Sequence, residues 1–208
     1  MSEWFDYYDE QMNLLGTAPR ERVHHEGLWH QTFHCWVVQR REAGAYVWFQ
    51  QRQLGKDTHP GRLDITAAGH LSAGETISDG VRELEEELGI RAEFSALVKL
   101  AEHREEVEGE LGGTPFIDRE LSHVFGYVCD RPLSSLQLQA EEVAGMYEAS
   151  LDEMIALFEG EQMSVTALGV APDRRGMLQP SSLEVRTADF VPRETAYYTR
   201  VFRSLKEL

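Results

Sequence analysis

The stretch from Gly69 to Ile90 reads GHLSAGETISDGVRELEEELGI, a glycine-punctuated loop running into an acidic, amphipathic segment. If residues 76–88 are helical, a rotation of about 100° per residue puts Glu83, Glu86 and Glu87 on one face and Val81, Leu84 and Leu88 on another. The apolar face has to be buried, so this helix must pack on other structure. The acidic face gathers three carboxylates that repel one another unless a positive charge sits among them. Mg²⁺ suits such a set, because it takes carboxylate oxygens while keeping waters and room for a substrate's phosphates. Arg82, at helical spacing to Glu86 and next to Glu83, can orient the carboxylates through a bidentate pair.

A bare run of glutamates is ordinarily a solvated face. The flanking residues point elsewhere. Gly69 lets a strand end come close to a ligand, Thr76 and Asp79 have capping-box spacing, and Gly89 stands where a left-handed cap ends a helix. The segment resembles the Nudix box, whose pattern is G-x5-E-x7-R-E-U-x-E-E-x-G-U with U aliphatic. Here it reads G-x5-E-x6-R-E-L-x-E-E-L-G-I, one residue short between Glu75 and Arg82. That departure falls at the loop-to-helix junction and bears on the placing of Glu75, while the metal face stays in register. The resemblance implies hydrolysis of a diphosphate joined to some other group X, with Mg²⁺ or Mn²⁺ activating water. By matching positions it implies Glu83, Glu86 and Glu87 as metal ligands, with the Gly69 carbonyl turned toward the metal. The general base would be one of these glutamates or a carboxylate elsewhere, Glu120 among them.

Outside the box the order of residues resembles the isopentenyl-diphosphate isomerases, a branch built on the same fold. His30 precedes the apolar run QTFHCWVV, Pro60-Gly61 follows, Ala68-Gly69-His70 leads into the box, and Asp118-Arg119-Glu120 precedes LSHVFGYV. This resemblance implies a second divalent cation held by His30, His70 and Glu120, joined by His24 and Asp118. Imidazoles with a carboxylate suit a transition ion better than Mg²⁺. Ala68 stands where that branch has its catalytic cysteine. Alanine can neither give nor take a proton, so the likeness speaks for kinship and against isomerase chemistry. A third reading, a sensor that binds a nucleotide or diphosphate without turning it over, sits poorly with three retained and mutually repelling carboxylates. Each residue also has a plain structural reading. His30 and His34 would be hydrogen-bonded strand histidines, and His24 and His25 surface residues at a helix end. Arg52 and Lys56 would be solvated surface, and His103 with residues 105–108 loop solvation.

The expected fold is α+β: the Nudix fold, a mixed β-sheet sandwiched between α-helices, with an N-terminal hairpin extension and a C-terminal helix. The 208 residues are read as a single domain, with residues 1–28 a hairpin and short helix, 29–160 the core and 161–208 a C-terminal extension. Aromatic and β-branched runs predict strands at 32–39, 46–52, 63–68, 94–100, 121–129 and 142–147. Helices are expected at 19–25, 150–158 and 192–205. Residues 105–114, acidic and glycine-bearing, read as a mobile loop, and 160–183 as loop-like with no assigned role. A formal net charge of −16 argues against nucleic acid as a partner, since no counterion release would favour it. A small diphosphate remains compatible, because bound metals reverse the local sign. There is no apolar run of about 18 residues and no basic-then-apolar start, so neither a membrane span nor a signal peptide is expected, and a cytoplasmic location is. Cys35 and Cys129 lie in apolar runs and read as buried free thiols. The aromatic-rich terminal elements are the kind that pair across subunits, which makes a homodimer an expectation.

Overall fold

A computed structural model describes residues 3–111 and 114–208 of the chain. Strands β1 (Trp4–Tyr8) and β2 (Leu14–Pro19) form an antiparallel hairpin, and helix α1 (Arg20–Glu26) follows and ends on a left-handed Gly27. The central sheet is built on β3 (His30–Arg41) and β4 (Gly44–Arg52), with the short β5 (Leu63–Asp64) on β4 and β6 (Ala67–His70) on β3. Helix α2 (Arg82–Leu88) comes next, followed by the long strands β7 (Val98–Leu111) and β8 (Thr114–Val128). β9 (Val143–Ser150), α3 (Leu151–Phe158), β10 (Val165–Pro172), β11 (Leu178–Val185) and α4 (Thr195–Lys206) complete the chain. The strand order is β11-β10-β9-β4-β3-β8-β7, and β3 runs parallel to β8 while its other neighbours are antiparallel. This is the mixed sheet with helices that the sequence predicts.

β3 is buried almost throughout because both of its faces are covered. With successive side chains alternating between faces, Phe33, Cys35 and Val37 join a core with Leu84 and Leu88 of α2, while Trp36 and Val38 join one with α3 and α4. Tyr198, Val201, Phe202 and Leu205 pack there as their helical spacing requires. Cys35 and Cys129 are buried and free.

Five segments depart from the sequence reading. The box helix starts at Arg82, after a 3₁₀ turn over Asp79–Val81, and not at residue 76. Asp79 reaches back to the Thr76 backbone N–H at 2.8 Å, so that half of the capping box starts the 3₁₀ turn instead. Residues 94–96 form another 3₁₀ turn, and the strand begins at Val98. Residues 63–68 are two strands because the Thr66 hydroxyl donates to the Trp48 carbonyl and accepts from the Val37 N–H, splicing a side chain between β4 and β3. The acidic 105–114 stretch is strand in its described part, its charges answered across the ladder, as in Arg119 to Glu106 at 2.7 Å. Residues 112 and 113 lie outside the described residues. The 160–183 segment holds the β10–β11 hairpin, whose edge strand tolerates Pro180.

Candidate functional site

Register places the polar residues. The parallel pairing of β3 with β8 sets His30 level with Glu120, and the antiparallel pairing with β6 sets Thr32 beside His70 and His34 beside Ala68. His30, His70 and Glu120 therefore meet at the start of β3, one step from β6, which also leads into the box. α1 packs over β8 and delivers His24. A cavity of about 550 Å³ opens onto both groups and is lined by the box glutamates, His24, His70, Asp118 and Glu120.

In the box, Arg82 is the hub. Its Nε and Nη2 donate to the two Glu75 carboxylate oxygens at 2.9 and 3.1 Å, Nη2 also reaches the His70 carbonyl at 3.2 Å, and Nη1 lies 2.9 Å from Glu86 and 2.7 Å from Glu83. The residue missing from the loop does not detach Glu75, which clamps Arg82 and accepts from the Ser72 N–H. Glu83 and Glu87 are buried, one turn apart, and Glu86 is exposed. Burial, with repulsion from Glu86 and Glu75, pushes Glu83 up to about 7 despite Arg82. Glu87 is raised well above the carboxylate range by burial and by the charges of Glu83 and Glu142. Gln50 Nε2 and the Ala68 N–H donate to Glu87 at 3.2 and 3.4 Å. A Cβ on Gly69 would sit 2.1 Å from Glu83 Oε1, so only glycine leaves room for that carboxylate against β6. Buried carboxylates crowded together, with Arg82 as their one cationic neighbour in the box and Gly69 leaving bare backbone against Glu83, fit a hard divalent cation.

The second group is built on fixed tautomers. His24 Nδ1 and His30 Nδ1 each lie 3.1 Å from a carbonyl oxygen, of Arg20 and Leu28, and a carbonyl can only accept. Each Nδ1 carries the proton, and each Nε2 is left to turn on Asp118, 3.5 Å from both. His30 Nε2 and His70 Nε2 lie 3.7 and 3.3 Å from Glu120 Oε1. The ligand atoms of His24, His30 and His70 fall within 4.8 Å of one another, as do those of His30, Asp118 and Glu120. His30 Nε2, His70 Nε2 and Asp118 Oδ1 are buried without a hydrogen-bond partner. Burial alone would raise Glu120, yet His30 and His70 hold it well below the carboxylate range. Burial depresses His70, and Glu120 with Asp118 raises His30 against its own burial. Unpartnered buried imidazole nitrogens facing carboxylates, with carbonyls fixing the far side of two of the rings, are a donor set that a transition ion satisfies.

Other candidates fall elsewhere. His25 is exposed. His103 is buried in β7, with its ring centroid 4.8 Å from that of Tyr197, and is no loop residue. Arg52 is not solvated surface: it donates to Asp64 at 3.0 Å and to the Thr58 carbonyl. Lys56 pairs with Glu142. The sequence reading passed over Asp64, Arg193, Gln50 and Tyr197. One signal for Asp64 was present, since a charge inside the apolar run LDIT must be buried with a partner. That partner is Arg193, 2.8 Å away and distant in sequence.

Residues 28–168 match the model of the NUDIX domain. An uncharacterised Nudix hydrolase of Clostridium acetobutylicum is 38% identical over 205 residues, covering 99% of this chain and 98% of its own length. Another from Pseudomonas aeruginosa is 37% identical over 145 residues, 69% of this chain and 76% of that one. Among solved structures, DR0079 from Deinococcus radiodurans superposes with a TM-score of 0.55 at 17% identity, covering 77% of this chain and 91% of that one, a likeness of fold alone.

Proposed function

The chain belongs to the Nudix family, and on that premise we propose that it is a metal-dependent hydrolase that cleaves the diphosphate bond of a small metabolite of the form diphosphate-X. The observation that carries this reading is the buried pair Glu83 and Glu87 against β6, Glu83 packed on Gly69 and paired with Arg82, Glu87 bonded by the Ala68 N–H. Glu83, Glu86 and Glu87, with the Gly69 carbonyl, would hold Mg²⁺ or Mn²⁺. When bound, such an ion supplies an activated water and screens the phosphate charge. The protein's own share is positioning and proton handling. Arg82, fixed by Glu75 and the His70 carbonyl, keeps the acidic side chains from splaying. Burial raises Glu83 and Glu87, a bound cation would favour their charged, ligating forms, and one of these glutamates or Glu120 would take the proton from water. A panel of diphosphates assayed for phosphate or monophosphate release with Mg²⁺ and with Mn²⁺ tests the proposal. Metal-dependent release from at least one compound is expected, and none from any would refute it.

The cluster of His24, His30, His70, Asp118 and Glu120 supports a second divalent site and kinship with the isomerase branch. Elemental analysis of protein purified without a histidine tag should find a transition ion that His30→Ala removes. Isomerisation itself needs a proton donor and acceptor, and Ala68 supplies neither. Isopentenyl diphosphate in deuterated water should show no carbon-bound exchange above a no-enzyme control.

A further inference from the structure

The cavity is larger than a diphosphate needs, and it continues past the box helix into a lobe walled by His34, Asp64, Glu105 and Arg193. Arg193 comes from the segment before α4, so the C-terminal extension is part of the cavity wall. Its side chain is more than nine-tenths buried, and its Nη1 donates to Asp64 Oδ1 at 2.8 Å. Its Nε is buried with no hydrogen-bond partner, the nearest carboxylate oxygen being Glu105 Oε2 at 3.7 Å. Arg52 is not free to read a ligand, being used up on Asp64 and the Thr58 carbonyl. His34 has a fixed tautomer. The Trp36 indole N–H donates to the Tyr197 hydroxyl at 3.1 Å, and among the described residues the partner left for the hydroxyl proton is His34 Nδ1, also at 3.1 Å. His34 thus keeps its proton on Nε2 and offers the cavity a neutral donor.

The lobe balances. Arg52 and Arg193 face Asp64 and Glu105, two charges of each sign, with donors and acceptors side by side. A second anionic group would meet two carboxylates there, and a hydrocarbon chain would strip water from four charges without replacing it. A nucleobase would look for a free phenyl or indole face, but the phenyl rings among the described lining residues, Phe5 and Phe116, already stack on the histidines. Hydroxyl groups, each both donor and acceptor, match a mixed set of this kind.

We propose that this lobe is the subsite for X, and that X is a neutral, hydroxyl-rich group of the sugar class, read by Arg193 and His34 as donors and by Asp64 and Glu105 as acceptors. The proposal rests on the diphosphate reading of the box, and its test separates the two. The probes are methylene-bridged, non-hydrolysable analogues of ribose 5-diphosphate and dimethylallyl diphosphate, titrated calorimetrically in Mg²⁺. The ribosyl compound should bind at least about tenfold tighter, since a site built for hydroxyls rejects analogues lacking them. Arg193→Lys, which keeps the charge beside Asp64 but loses the fork of donors, should erase most of that preference and leave affinity for methyl methylenediphosphonate within about twofold. If that variant does not fold, His34→Gln reads the same preference from the other wall. Ribosyl binding no tighter than prenyl binding, or full preference retained in the folded variants, overturns the subsite. Preferred binding with no release from any hydrolysable diphosphate overturns the proposed reaction and leaves the subsite standing.

Discussion

Glu85 and Glu87 are two positions apart and do different jobs. Glu85 is exposed and pairs with Arg91 at 2.6 Å, whereas Glu87 is buried against β6 and takes bonds from Gln50 and Ala68. Glu87→Gln is expected to lower metal-dependent turnover by about a hundredfold or more, the scale of losing a principal electrostatic or acid-base group. Glu86→Gln should do likewise, and Glu85→Gln should change little. Equal losses at 85 and 87, with folding intact by circular dichroism, would contradict this geometry. Gly69→Ala tests the same face without touching a charge. The added methyl would press into Glu83 at 2.1 Å, so the carboxylate must move and Mg²⁺ affinity by calorimetry should fall at least about tenfold. The face these residues share was legible in the sequence because helical spacing is local. Glu75 was harder, since its role depends on how a shortened loop closes onto Arg82, and Asp64 with Arg193 was harder still, because their pairing spans 129 residues.

The elements were read well where one periodicity ruled. β3, β4 and α4 have uniform apolar faces, and their positions followed. α4 earns its place by packing: Phe202 is fully buried and sets its ring edge-on to Trp36 with centroids 5.1 Å apart. Phe202→Ala should cost about 3–5 kcal/mol in urea denaturation, the range for removing a buried aromatic side chain. A loss below about 1 kcal/mol would mean that α4 is only loosely docked. The misread elements lack that signal. Residues 105–111 carry charge on both faces and became strand because β8 brings Arg119 to Glu106, a partner no local pattern announces. Residues 178–185 form an edge strand in which Val185 alone is buried and the rest are partly or fully exposed, so the apolar signal is weak. The second cluster shows the opposite case: a parallel register joins His30 to Glu120, and only the likeness to a known branch could place residues so far apart in one site.

At the scale of the whole molecule, one buried carboxylate joins three parts of the chain. Asp64 in β5 accepts from Arg52 of β4 and from Arg193 of the C-terminal extension, while the Val191 N–H bonds the Leu63 carbonyl at 2.8 Å and Tyr198 bonds the Val191 carbonyl at 2.7 Å. Burial would raise Asp64, but Arg193 and Arg52 outweigh it and hold the carboxyl below its ordinary range. The sign of the linkage follows. A depressed folded pKa contributes stability in full above the unfolded value of about 3.9, and that contribution drains away as pH falls through the folded value. Asp64→Asn should therefore cost about 3–5 kcal/mol at pH 7, where it strands two guanidinium groups without their carboxylate. The gap between the variant and the parent should narrow steadily in urea titrations below about pH 4, where the parent carboxyl takes up a proton and comes to resemble the amide. A gap that stays constant from pH 7 down to pH 2 would mean that Asp64 holds the C-terminal extension by shape and not by charge.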